Sequence, residues 1–255
     1  MSGRLRLTKL VARDHEQAYD MIASHFSDPA LMANRDAKTN QRKLGRVADL
    51  LPVTNTTDVL DIGPGDGTLL RLLAPRVATC TGVDPSAAAI ERLTELLADI
   101  PNVRFSRGTV LDLPFPDGEF DIVVVNSVLH MLPSIADVRN GFTEAIRVCR
   151  PGGHVWVGEL PFRPELDRGI ARHLARHRRE YGLRNLSRLL YHVYLRPIVR
   201  GEPLLLYPAQ NQHVPREELE RWCRGHNAEV TCCRHQELAR ESETRNDYLI
   251  RIDPR

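Results

Sequence analysis

Apolar residues recur at helical spacing between Asp14 and Leu51, first at Ala18, Ile22 and Phe26 and then at Leu44, Val47 and Leu51, before Pro52 ends the pattern. Two helices are expected there. From Thr57 the period changes. Val59–Gly63 (VLDIG) is a short apolar run closed by glycine, the form of a strand buried on both faces. DGTLLRLLA then reads as a helix stopped by Pro75, ATCTGVD as a second strand, and Ser86 to Asp99 as a helix with Ile90, Leu93 and Leu97 on one side. VRFSRG and FDIVVVNS follow as third and fourth strands, the latter with the highest β-branched content of the chain. Ile135, Val138, Phe142, Ile146 and Cys149 mark the next helix, PGG turns the chain, and HVWVGEL is a fifth strand.

Regular alternation of strand and helix predicts a parallel sheet with helices on both faces, because each parallel connection needs a crossover. The alternation then breaks at an arginine-rich stretch, where Leu186, Leu189, Leu190 and Val193 form another helical stripe before Pro197. It resumes when Pro215 opens a helix with Glu217 and Glu218 in its first turn and Gly225 at its end. AEVTCCRH and NDYLIRI are two last strands. The expected fold class is α/β, a doubly wound, mostly parallel seven-stranded sheet with an inserted helical element. Residues 1–54 would be an N-terminal helical cap and 55–160 the ligand-binding core. Residues 161–208 would be the insertion, and 209–255 the last helix and two strands.

Composition narrows the class further. In 255 residues, 42% apolar and 27% charged, there is material for a sizeable core and no sign of a disordered or fibrous chain. No apolar run of membrane-spanning length occurs, and the N-terminal MSGRLRLTKL lacks the apolar core of a signal peptide, so a cytoplasmic protein without membrane attachment is expected. Five cysteines without a C-x-x-C pair argue against both a disulfide framework and a zinc site. His173 and His177, four residues apart, lack a third ligand signal, so no metal is expected. The net charge of +2 is unevenly spread. Between Pro161 and Arg200 ten arginines face Glu165, Asp167 and Glu180, a local +7 that leaves −5 for the remainder.

Chemistry concentrates in Val59–Thr68, VLDIGPGDGT. Gly63, Gly65 and Gly67 let the backbone turn sharply where a strand enters a helix, at the sheet edge where ligands of open α/β folds bind. The dinucleotide fingerprint needs glycine or alanine at the position of Thr68, and Asp61 would repel a pyrophosphate while attracting an amine. S-adenosylmethionine, with an ammonium, a sulfonium and no phosphate, suits this loop better. Asp84, ending GVDPS, can accept both hydroxyl hydrogens of a ribose diol; alternatively it caps the helix that begins near Ser86.

DIGPGDG, GVDPS, DLPFPDGEFD, NSVLHML and RVCRPGGHV, in this order, resemble the class I S-adenosylmethionine-dependent methyltransferases, most closely the small-molecule branch. The likeness covers about Thr57 to Leu160 and implies the Rossmann-like methyltransferase fold. It implies that Asp61, Gly63, Gly65, Asp84 and the adjoining Pro85 contact the methionine and ribose parts of the cofactor, whose product is S-adenosyl-L-homocysteine. Asn126 would face cofactor or substrate. Members often carry Gly-Asp-Ala where this chain has Gly108, Thr109 and Val110, so adenine would be met by the Thr109 hydroxyl and the Val110 backbone N–H.

The implied reaction is in-line attack on the sulfonium methyl, in which alignment and removal of the acceptor's proton do most of the work. His130, four residues beyond Asn126, is the first choice of base and His213 the second; either can instead line or cap a loop. Glu159 orients a base or a substrate amine, or is solvated. The expected acceptor is a small hydroxylated metabolite, anionic or glycosylated, with the arginine segment covering the active site. Nucleic-acid methylation is the nearest rival because of the basic segment. NSVL, however, lacks the Asn/Asp-Pro-Pro-aromatic motif that holds a flipped base, and no Pro-Cys nucleophile stands there. A third reading is a non-catalytic S-adenosylmethionine-binding protein, suggested by threonine at position 109.

Overall fold

The computed structural model describes residues 9–11, 17, 20–21, 37–162, 204–206, 212–234 and 245–254. In chain order these give β1 (Lys9–Val11), α1 (Ala37–Leu50), β2 (Asp58–Ile62), α2 (Thr68–Leu73), β3 (Thr79–Asp84), α3 (Ala87–Leu96) and β4 (Val103–Arg107). There follow β5 (Phe120–Asn126), α4 (Ile135–Val148), β6 (Cys149–Pro161), β7 (Leu204–Leu206), α5 (Arg216–Gly225), β8 (Ala228–Arg234) and β9 (Arg245–Ile252). Seven strands form one sheet in the order β4-β3-β2-β5-β6-β9-β8, parallel except for β9, which runs antiparallel to both its neighbours. Strand order reverses between β2 and β5. That junction opens a crevice at the carboxyl ends of the strands, the usual ligand position in such sheets.

The two-residue period of the strands divides the core between the two faces of the sheet. From β5, Phe120, Val123 and Val125 pack with Val138, Phe142 and Ala145 of α4 and Leu219 and Trp222 of α5. Ile122 and Val124 point the other way, with Val59, Cys80 and Trp156, against Leu44, Val47 and Ala48 of α1 and Leu69, Leu70 and Leu73 of α2. Ser134 starts α4 by accepting the Asp137 backbone N–H at 3.1 Å, a side-chain cap on an otherwise unpaired donor. No described helix is long and apolar enough to cross a membrane.

Two boundaries differ from the sequence expectation. Residues 1–54 are not helical throughout: β1 pairs in parallel with β7, Lys9 opposite Leu204 and Val11 opposite Leu206. This pairing joins the expected cap to the end of the expected insertion. Nor does PGG separate α4 from the fifth core strand. Cys149 already pairs with Phe120, the register shifts before Ile122 meets His154, and Gly152 absorbs the irregularity at φ 79°. The arginine-rich stripe and its histidines, His173 and His177, lie outside the described residues.

Candidate active site

β2 ends at Ile62 and α2 begins at Thr68, so residues 63–67 must reverse the chain within five positions. Gly63, Gly65 and Gly67 do this at φ 69°, 59° and 73°, in the left-handed region that strains any side chain. Space is closed as well at Gly63, where a Cβ would lie 2.5 Å from Val128 Cγ2. Asp66 secures the loop. Its Oδ1 accepts from the Thr68 backbone N–H at 3.1 Å, and its two oxygens accept from Asn40 Nδ2 at 3.0 and 2.9 Å. Since Asn40 belongs to α1, that helix is clasped directly to the glycine loop.

Asp61 lies on β2 just before the loop and is only 3% exposed. Burial raises its carboxyl to about 7, and repulsion from Asp66 adds to the rise. A cation bound here would reverse that penalty. Asp84, at the end of β3, is also buried; its Oδ1 accepts the Ser86 backbone N–H at 2.9 Å. Ser86 in turn caps α3 by accepting from Ala89 N at 3.1 Å and donates to Asp20 Oδ1 at 2.8 Å. Asp84 thus shapes the start of α3 through Ser86, the residue that caps the helix, and stands buried at the β3 carboxyl edge rather than as a solvated cap. The Pro85 carbonyl accepts from Arg107 Nε at 3.0 Å.

The next loop is set by Gly108, whose N–H donates to the Asp84 carbonyl at 3.2 Å. Thr109 Oγ1 accepts from Leu111 N at 3.2 Å, and the Val110 side chain is buried in the core. Arg147 of α4 braces the loop from below, donating to the Phe115 carbonyl at 2.9 Å and to Asp117 Oδ1 at 2.8 Å, while Glu144 accepts from Leu113 N at 3.0 Å. Hydrogen bonding to Arg147 holds the Glu144 carboxyl below its ordinary range. Left-handed glycines, a buried carboxylate relieved by an ammonium, and a second carboxylate at the β3 edge form a donor set that fits S-adenosylmethionine.

Beyond the strand-order reversal, the edge of β5 and β6 is densely polar. Asn126 ends β5 and leans over Gly158: a Cβ at Gly158 would sit 2.0 Å from Asn126 Oδ1 and 2.7 Å from Trp156 Nε1. Both atoms are buried without a hydrogen-bond partner among the described residues. Ser127 and Glu159 take φ 65° and 58°, unusual for residues with side chains, and Ser127 Oγ donates to Glu159 Oε2 at 3.3 Å. Glu159 is therefore not solvated. It forms an ion pair with Lys43 of α1, both side chains 2% exposed, and its backbone N–H donates to Asp247 Oδ1 at 2.7 Å.

His130 lies in the helical turn Leu129–Met131 at 5% exposure, with Nε2 3.2 Å from Arg245 Nη1. Gln212 N donates to the His130 carbonyl at 2.8 Å and Val214 N to the Pro161 carbonyl at 2.9 Å. His213 is thereby threaded between the His130 turn and the end of β6. The fold thus brings Asp61, Gly63, Gly65, Asp84, Pro85, Thr109 and Val110 to the carboxyl ends of β2 to β4, and Asn126, His130 and His213 to those of β5 and β6. Sequence patterns missed Asn40, Lys43, Asp66, Arg245 and Asp247. A signal existed for two of them: Asn40 and Lys43 are polar residues in phase with the apolar stripe Leu44, Val47 and Leu51. Among the described side chains, burial pushes the thiols of Cys80, Cys149 and Cys223 up to about 12, which leaves these three unsuited to act as nucleophiles.

A doubly wound sheet with this order, a glycine loop after β2 and a carboxylate ending β3 define a nucleoside-binding α/β domain without a pyrophosphate fingerprint. Residues 60–157 match the family model described as a methyltransferase domain, and this part of the chain is a class I S-adenosylmethionine-dependent methyltransferase domain on the Rossmann-like fold. The uncharacterized methyltransferase YcgJ of Bacillus subtilis is 35% identical over 113 residues, 43% of this chain and 44% of that protein. The ubiquinone biosynthesis O-methyltransferase of Alkalilimnicola ehrlichii is 33% identical over 162 residues, 62% of this chain and 64% of that one. The chain therefore spans less than two thirds of either relative. Among solved structures, phosphoethanolamine N-methyltransferase 1 of Haemonchus contortus, in complex with phosphoethanolamine and S-adenosylhomocysteine, aligns with TM-score 0.65 at 16% identity, over 93% of this chain and 48% of that one.

Proposed function

We propose that the protein binds S-adenosylmethionine along the carboxyl ends of β2 and β3 and methylates a small organic acceptor at a hydroxyl oxygen. The observation that carries the proposal is the left-handed glycine loop set beside the buried Asp61 at the strand-order reversal. In this reading Asp61 receives the cofactor's ammonium, Asp84 the ribose hydroxyls, and the Thr109–Val110 segment the adenine, with Asn126 at the boundary between cofactor and acceptor. Bound there, the cofactor supplies a methyl group already activated as an electrophile. What remains for the protein is to align the acceptor, exclude water and remove the hydroxyl proton. That proton passes to a ring nitrogen of His130 or His213, which the fold brings to one edge.

The choice of oxygen is supported by relatives named as the ubiquinone biosynthesis O-methyltransferase and the 27-O-demethylrifamycin SV methyltransferase of Amycolatopsis mediterranei. The acceptor class proposed is a hydroxylated natural-product-like or sugar metabolite, with an anionic group where the arginine-rich segment can meet it. The test is incubation of the full-length protein with S-adenosylmethionine and a panel of hydroxylated aromatics, quinone precursors and sugars. The proposal expects S-adenosylhomocysteine together with an acceptor heavier by one methyl group. Cofactor binding without turnover on any acceptor would leave the non-catalytic binding protein as the better reading. Turnover on polynucleotides, with the steep salt dependence of phosphate contacts, would favour the nucleic-acid enzyme.

A further inference from the structure

Arginine has five N–H donors and no acceptor, so any atom that satisfies its guanidinium must offer a lone pair. Arg245 Nη1, at the start of β9, lies 3.2 Å from His130 Nε2, 3.4 Å from the Glu159 carbonyl and 3.6 Å from Glu159 Oε2. The two contacts to Glu159 anchor the guanidinium independently of the histidine. Were Nε2 to carry a hydrogen, two donors would oppose one another at 3.2 Å in a site where His130 is 5% exposed and water cannot screen them. We propose that Arg245 is a positioning residue that fixes His130 as the neutral tautomer protonated at Nδ1. His130 then does not serve as the base, because its Nε2 lone pair accepts from Arg245. In the methyl-transfer reading, on which this last step rests, the acceptor's proton goes to His213.

The charged groups around the imidazole are consistent with a neutral ring. Glu159 on β6 is paired with Lys43 of α1 and accepts from Ser127, and Asp247 on β9 accepts the Glu159 backbone N–H. Both carboxylates are committed to other donors, whereas the group that touches Nε2 is a cation. His213 approaches from the 212–214 segment through backbone bonds made by its two neighbours. The tautomer follows from the donor chemistry of Arg245 and does not depend on which ligand occupies the crevice.

The experiment is a two-bond proton–nitrogen correlation spectrum of the full-length protein labelled with nitrogen-15 histidine, without ligand. The His130 signals are assigned by their loss in His130→Asn. A protonated Nδ1 and a bare Nε2 are expected, unchanged between about pH 5 and 8, where an ordinary histidine titrates. Arg245→Met should bring back titration in that window, and Arg245→Lys, whose ammonium also only donates, should restore the locked pattern. A purely structural role would not move that signature. An Nε2-protonated ring or an imidazolium at neutral pH in the wild type would overturn the proposal, as would a pattern indifferent to Arg245→Met. Should Arg245→Met fail to fold, the wild-type spectrum and Arg245→Lys decide. Titrating the same sample with S-adenosylhomocysteine separates the two ideas: binding with the wrong tautomer sinks only this inference, and the right tautomer without binding sinks only the methyl-transfer reading.

Discussion

The ion pair between Lys43 and Glu159 should be among the strongest single links between α1 and the sheet. Both side chains are 2% exposed, so Lys43→Met removes a cation while leaving a buried carboxylate behind. Breaking one partner of such a pair typically costs about 3–5 kcal/mol. Glu159 keeps its bond from Ser127 at 3.3 Å and Arg245 at 3.6 Å, which places the expected loss at the lower end, about 3 kcal/mol. With a urea slope of about 3 kcal/mol per molar, the unfolding midpoint should fall by about 1 M. Glu159→Gln should cost a similar amount by stranding Lys43. The double variant Lys43→Met with Glu159→Gln buries no unpaired charge from this pair, and it should be more stable than the sum of the single losses by several kcal/mol. Urea unfolding followed by far-UV circular dichroism measures all four corners of the cycle. A midpoint for Lys43→Met within about 0.2 M of wild type, or strict additivity in the double variant, would refute the claim that this pair clasps α1 to the site.

Further outcomes follow from the cofactor half of the site. Asp84→Ala should weaken S-adenosylhomocysteine binding by about 1.5–3 kcal/mol, the worth of hydrogen bonds to a charged group, and unchanged affinity in calorimetry would remove Asp84 from the ribose role. The Asp61 carboxyl titrates near 3.8 when unfolded and about 7 when folded, so the native state holds its proton more tightly and stability falls as pH rises between those values. Asp61→Asn should abolish that fall, and wild-type affinity for S-adenosylhomocysteine should rise as pH climbs towards about 7, where Asp61 ionises to meet the ammonium, and level off above it; a pH-independent affinity would count against the contact. Gly158→Ala places a methyl 2.0 Å from Asn126 Oδ1 and 2.7 Å from Trp156 Nε1, so it should cost about 1–3 kcal/mol and alter Trp156 fluorescence; wild-type stability would show that Asn126 does not occupy that space.

Strands and glycine loop were legible because their signals are local. Val59–Gly63 and Phe120–Ser127 are apolar runs of strand length, and three glycines at alternate positions have few readings besides a tight turn near a ligand. Asp84 could be placed from its position at the end of GVDPS. The polar cluster was not legible, because it assembles Lys43, Glu159, Arg245 and His130 from four distant parts of the chain, and pairing at that range has no sequence period. Glu159 illustrates the loss: its pattern fitted solvation as well as orientation, and only the left-handed kink in β6 turns it inward onto Lys43. Lys43 itself was hinted at by its phase in the apolar stripe of α1, where a lysine needs a buried partner. The β1–β7 pairing was hidden for another reason. Three-residue strands carry too little alternation to distinguish them from loop.

The most direct test of the central claim is calorimetric titration of the full-length protein with S-adenosylhomocysteine, with NAD as the control ligand. The glycine loop, Asp61 and Asp84 predict one-site binding of S-adenosylhomocysteine and none of NAD. Binding of NAD alone would contradict the assignment and return the loop to pyrophosphate chemistry.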